Sequence, residues 1–145
     1  MTAKTERVSP NVTLAVLALG SLSYAVLSGA VIPALPTFQH DLHTSETGVT
    51  WILTAYLLAA SVGTSILGRL GDMYGKERVL LWTLVILGVG TLLSAVANSL
   101  ALVVVGRALQ GAAGGIFPLA FGIVRDEFPR EKLAGSIGLL SAILG

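Results

Sequence analysis

Arg107 and Gln110 stand three residues apart in an otherwise apolar run, ALVVVGRALQGAAGGIFPLAFGIV, residues 101–124. At helical spacing Arg107, Gln110, Gly111, Gly114 and Pro118 share one face, so a guanidinium and an amide project from a surface whose glycines admit a neighbouring helix or a water-filled cleft. That chemistry suits a polar path through a membrane. Placing Arg at the centre of a span costs about 2.5–3.5 kcal/mol on insertion scales, so its presence needs a reason. The alternative reason is structural, a side chain that snorkels outward or pins two helices together. Gly111 and Gly115 also form a GxxxG, which by itself indicates close helix packing.

A second concentration lies at residues 68–78, where Gly68, Gly71, Asp72, Gly75, Lys76 and Arg78 crowd into GRLGDMYGKER. Gly71 and Gly75 permit a tight reversal. Asp72 can accept hydrogen bonds from a Lys or Arg, or sit at the start of a neighbouring helix where partial positive charge favours a carboxylate. Such an ion-paired latch can break and reform as helices tilt; the alternative is a solvated loop whose charges set topology. His40, Asp41, His43 and Glu46 crowd another connector, but two His with intervening acids in a loop are more often solvated than metal-bound, and no metal site or cofactor is expected. Thr44 or Ser45 with Glu46 reads instead as the start of a helix. The glycines form no GxxxxGK[ST] run, and no Ser, His and Asp gather in one place, so neither ATP use nor an enzyme is expected.

The elements that position these residues are membrane spans. Of 145 residues 54% are hydrophobic and 12% charged, with mean hydropathy +0.84, an excess of apolar surface that needs lipid. The apolar residues fall in blocks at about 12–38, 49–70, 79–97 and 100–124, after a polar tail at 1–11. Pro33 and Pro36 are expected to bend the far end of the first block. Ala55, Ala59 and Gly63 form a small-residue stripe in the second, and Trp51 at its entry suits the headgroup level. A fifth apolar segment begins at Leu133, and its roughly 20 Å of helix is too short to cross a hydrocarbon layer of about 30 Å. The chain is therefore expected to continue past Gly145. Eight of the nine basic residues flank alternate connectors, which by the positive-inside rule places the N-terminus and the connectors at 71–78 and 125–132 in the cytoplasm. Arg107 is the exception. Net charge is +1, and the basic residues form no continuous face, which argues against nucleic acid as a partner. Cys is absent, so no disulfide framework exists.

The run GRLGDMYGKERVLL, Gly68 to Leu81, resembles the signature loop between the second and third helices of the major facilitator superfamily: Gly68, Leu70, Asp72, Gly75 and Lys76 fit, while Met73 and Glu77 depart from usually basic positions. RALQGAAGG, Arg107 to Gly115, is similar to that family's fourth-helix motif, with Ala113 where glycine is common. Trp51 and Tyr56, and Phe128-Pro129-Arg130-Glu131, most resemble the drug:proton antiporter branch with fourteen helices. The resemblance implies an all-α polytopic bundle, here the N-terminal part of a major-facilitator fold, and proton-coupled export of small amphipathic compounds across the plasma membrane. It implies that Arg107 and Gln110 serve proton coupling or the transport pathway, that Gly68 to Arg78 latch the cytoplasmic side, and that Gly111, Gly114 and Gly115 pack helices. Implied partners are the bilayer, a small-molecule substrate, protons and the remaining helices. Two other readings stay open: a non-transporting half-bundle, and a facilitator importing a sugar or other metabolite. The branch usually carries an Asp in helix one several residues before Ala-Leu-Pro; with Ala34-Leu35-Pro36 present, the matching position is Leu27. Span one therefore has no acid to carry a proton.

Overall fold

The computed structural model describes residues 9–144. Residues 1–8 of the expected tail, with Lys4 and Arg7, lie outside the described residues, as does Gly145. Among the described residues the chain is helical throughout, with no strand: α1 (Pro10–Gly29), α2 (Val31–Asp41), α3 (Glu46–Tyr74), α4 (Lys76–Ala95), α5 (Leu100–Ala112), a 3-10 turn (Ala113–Gly115), α6 (Ile116–Glu127) and α7 (Arg130–Leu144). Among the described residues four helical stretches are long and apolar enough to cross a membrane, α5 through α6 counting as one span of 28 residues interrupted by the 3-10 turn. The chain is thus a multi-pass membrane bundle.

Local sequence explains where these helices begin and break. Ser9 precedes α1 with Pro10 at its first position, where a missing N–H costs nothing. Ser45 caps α3, its Oγ accepting from Gly48 N at 3.2 Å, with Glu46 in the first turn against the positive helix end. The expected bend of the first block near Pro33 and Pro36 lies earlier, at Ala30. A proline has no N–H for the carbonyl four residues back and its ring crowds that carbonyl, so Pro33 acts on Gly29, and α1 ends there. Pro36 is accommodated inside α2. The same logic links Pro118, the third residue of α6, to Gly114 in the 3-10 turn that interrupts the last span.

The reversal expected of Gly71 and Gly75 falls to Gly75 alone, with φ of 97°. Gly71 is helical and buried in α3, where a Cβ would run into Leu119. The eight-residue charged connector thereby shrinks to one residue, which sets the start of α4 hard against the end of α3.

The α5–α6 span is the most enclosed, with α3 and α4 packed along it and α1 against α6 and α7. Glycines set the spacing. A Cβ on Gly63 would lie 2.8 Å from Ala112 Cα, and one on Gly90 2.8 Å from the Gly106 carbonyl; one on Gly111 would strike the Tyr56 carbonyl. Beyond Gly115, Ile116, Leu119, Ala120, Ile123 and Val124 supply the buried apolar face of α6. Without a hydrophobic drive between helices in lipid, such backbone contact carries much of the association. Gly111→Val should therefore lower stability by about 1–3 kcal/mol through overpacking, whereas Gly88→Ala, whose Cβ meets nothing within 4 Å, should be neutral or gain roughly 0.5–1 kcal/mol. Thermal unfolding in detergent, followed by tryptophan fluorescence, checks this; equal effects at both positions would refute the backbone-contact account.

Candidate functional site

Arg107 and Gln110 are 2% and 3% exposed, on the face of α5 turned into the bundle. The guanidinium does not snorkel. Its Nη1 donates to Gln110 Oε1 at 2.5 Å and to the Leu27 carbonyl of α1 at 3.3 Å, and its Cζ lies 4.3 Å from the centre of the Tyr56 ring of α3. Gln110 Nε2 then donates to Thr91 Oγ1 at 3.2 Å, and that hydroxyl donates to the Leu87 carbonyl at 2.8 Å within α4. One arginine thus touches α1 and α3 directly and α4 through its amide neighbour. Beneath it the Tyr56 hydroxyl donates to the Tyr24 hydroxyl at 2.7 Å, and the Tyr24 ring stands edge-on to Phe117. Nε and Nη2 of Arg107 are buried without a partner.

The break in the first block makes this possible. The last four carbonyls of a helix lack an i+4 donor and carry partial negative charge, equivalent to about half an electron. Leu27 lies in that last turn of α1. The negative end of a helix therefore meets the buried cation at the position where the resembling branch places a carboxylate.

The glycine face next to the arginine is packed as well. A Cβ on Gly114 would come within 3.0 Å of Tyr24 Oη, and one on Gly115 within 2.8 Å of Leu67 Cδ1. Gly63 of the Ala55–Ala59–Gly63 stripe is buried against α5.

At the end of the bundle where α3 meets α4 the geometry redistributes the expected latch. Lys76 Nζ donates to Asp126 Oδ2 at 2.6 Å, while Asp72, its neighbour one turn earlier, stays 3.5 Å away and largely exposed. The stem of Lys76 crosses α6 over Gly122, where a Cβ would lie 2.6 Å from both Cδ and Cε. With Asp72, Pro118, Phe121 and Arg125 these residues border an open groove of about 580 Å³. Gly68 faces open space and Arg78 is exposed, so neither packs into this cluster. Asp126 and Gly122 were not singled out by sequence pattern, because the pairing spans fifty residues and depends on a missing methyl group.

In the connector between α2 and α3, His40 Nδ1 lies 3.2 Å from Asp41 Oδ1, both exposed, with the His43 ring 6.5 Å from that of His40. Among the described residues no three metal-ligating side chains gather.

The Lys76–Asp126 pair is half-exposed, so a double-mutant cycle of Lys76→Met with Asp126→Asn should yield a coupling of about 0.2–1 kcal/mol. The corresponding cycle with Asp72→Asn should give less. In a Gly122→Ala background the Lys76–Asp126 coupling should vanish, since the added methyl displaces the lysine stem; persistence of the coupling would show that Gly122 does not set its path.

Comparison with known proteins places this geometry. The Major Facilitator Superfamily model matches residues 17–145. The chain is 37% identical over 134 residues to the tetracenomycin C resistance and export protein of Streptomyces glaucescens, covering 92% of this chain and 25% of that one. It is 34% identical over 130 residues to multidrug resistance protein 3 of Bacillus subtilis, covering 89% and 25%. The uridine/deoxyuridine transporter of Lactococcus lactis subsp. cremoris is 33% identical over 133 residues, covering 89% and 27%. The chain spans about a quarter of the length of these curated relatives. With four candidate spans, a buried arginine in the fourth and a family match over most of its length, the chain belongs to the Major Facilitator Superfamily.

Proposed function

We propose that this chain forms the first helices of a secondary transporter that exports small amphipathic compounds across the plasma membrane against inward proton flow. Its N-terminus lies in the cytoplasm, and further helices complete the pathway, because alternating access needs two repeats rocking about a central site. The observation that carries this reading is the Arg107–Gln110–Thr91 chain, in which a buried guanidinium and amide on one span reach a part-buried hydroxyl on another. A charge so placed is costly and marks a transport or relay function more often than a structural one. The drug-resistance and export relatives support the outward direction.

The Lys76–Asp126 pair, with Asp72 beside it, serves as the cytoplasmic latch. It joins α4 to α6 across the groove at the end of the bundle and is weak enough to break as those helices tilt. A second reading, uptake of a metabolite, draws on the uridine/deoxyuridine relative.

Inside-out membrane vesicles of the whole transporter test both direction and coupling. Uptake of an amphipathic dye into such vesicles should follow an imposed proton gradient and cease when a protonophore collapses it; uptake indifferent to the gradient rejects proton coupling, and uridine movement without dye movement favours the second reading. Arg107→Ala should reduce gradient-driven movement by more than tenfold while Asp126→Asn changes it several-fold without preventing membrane insertion. Unaltered transport in Arg107→Ala would leave the arginine as a tie between helices.

A further inference from the structure

We infer that Arg78 and Trp82 form a headgroup site for an anionic phospholipid on the lipid-facing side of α4. The two residues belong to a stripe that neither the latch nor the arginine network uses. Along α4 and into its C-cap, Leu81, Trp82, Val85, Val89, Leu92 and Val96 are all exposed and recur at three- and four-residue spacing, so they share one face. Arg78, also exposed, continues that stripe at its start, four residues before Trp82.

The face suits acyl chains. Arg78 and Val96 are eighteen residues apart, about 27 Å at helical rise, close to a hydrocarbon layer of about 30 Å. Past Arg78 no charged, hydroxyl or amide side chain of α4 is exposed. Bulky side chains stand furthest out, with Trp82 69% and Val96 72% exposed, whereas helices in membranes meet one another through small residues. On α3 the contrast is plain, because its exposed Thr47, Thr50, Ser61, Ser65 and Asp72 share a face suited to protein or water. Further helices have that polar face to cover, and the α4 stripe is left to lipid.

The headgroup end supplies the charge. Arg78 enters no ion pair or side-chain hydrogen bond among the described residues, while Lys76, two residues earlier, is held by Asp126 and Asp72. A guanidinium left free at that level can take two phosphate oxygens at once. Trp82 lies about 6 Å deeper by helical rise, where an indole packs on the upper acyl chain while its N–H reaches the polar oxygens above. Glu77 is exposed too, but as the preceding residue it stands about 100° round the helix from Arg78. One basic residue near the surface favours an anionic lipid by about fivefold.

Quenching by brominated lipid reads the site directly. In the whole transporter the emission that Trp82→Phe removes isolates this indole, and phosphatidylcholine nanodiscs carry increasing fractions of phosphatidylglycerol or of phosphatidylcholine with the same brominated chains. Half-quenching by the phosphatidylglycerol should need about a fifth of the fraction that the phosphatidylcholine needs. Arg78→Gln should bring the two curves together, and Arg78→Lys should keep most of their separation because the charge survives. Arg130→Gln, which removes the same charge from α7, should leave the separation unchanged. The wild-type curves decide the preference even where a variant fails to insert. Coincident wild-type curves, a preference that survives Arg78→Gln, or one lost equally in Arg130→Gln overturns the site; no quenching by either lipid overturns the exposure of this face to the bilayer. Neither gradient nor substrate enters the measurement, so its outcome is independent of the export reading.

Discussion

A full positive charge buried in a membrane bundle must be answered by its surroundings, and in this chain the answer fixes the arrangement of four helices. Among the described residues no acid pairs with Arg107, and dipoles and a ring face meet it instead. That requirement explains why α1 stops where it does. A continuous first helix would engage the Leu27 carbonyl in its own ladder; ending α1 at Gly29 leaves that carbonyl in the terminal turn, where partial negative charge collects. It also explains why α3 presents Tyr56 at this level. The ring contributes about 2 kcal/mol or more as a desolvated cation–π contact, and its hydroxyl is satisfied by Tyr24 instead of being left unpaired. Removing the ring would therefore disturb the arginine and a second buried polar group together.

Such contacts need the backbones to come close, and the glycines provide the distance. Gly111 lies against the Tyr56 carbonyl and Gly63 against Ala112, so α3 and α5 touch one turn beyond the arginine. Gly90 and Gly106 do the same for α4 and α5, which carries Thr91 to within hydrogen-bond distance of Gln110. Widening either interface by one methyl group would lengthen polar contacts that weaken steeply with distance. Packing and polar chemistry are therefore one constraint here, and the small residues that look like generic helix glue also set the geometry of the charged site.

What sequence made legible follows from this. Hydrophobic block length and the distribution of Lys and Arg mark the spans, and the exception to that distribution points to Arg107 without any structural knowledge. The three-residue spacing to Gln110 puts their side chains on one face, and their hydrogen bond follows. The partners were hidden for physical reasons. Leu27 contributes a backbone carbonyl, which no side-chain pattern reveals. Asp126 pairs with a lysine fifty residues earlier because Gly122 leaves room for the stem. The charged run at residues 71–78 looks like a loop from its polarity, yet charged side chains at a membrane boundary extend into water from helix ends, so only Gly75 leaves helical geometry. Proline position was legible and its consequence misplaced, since the carbonyl that a proline disrupts lies one turn before it.

The last span joins the two charged clusters mechanically. Arg107 and Asp126 are nineteen residues apart on one continuous stretch, about 28 Å at helical rise, one buried in the bundle and the other at its end. Between them lies the 3-10 turn at Ala113–Gly115, where Pro118 interrupts the ladder. A mid-helix 3-10 segment marks a place where a helix can change direction at low cost, and this one is clasped by Tyr24, Thr64 and Leu67 from α1 and α3. Tyr24 is hydrogen-bonded to Tyr56, which carries the guanidinium. The arginine, the tyrosine pair and the joint therefore form one chain of contacts, and Asp126 meets Lys76 beyond the joint on α6. The buried charge and the surface ion pair thus lie on either side of one interruption in one span.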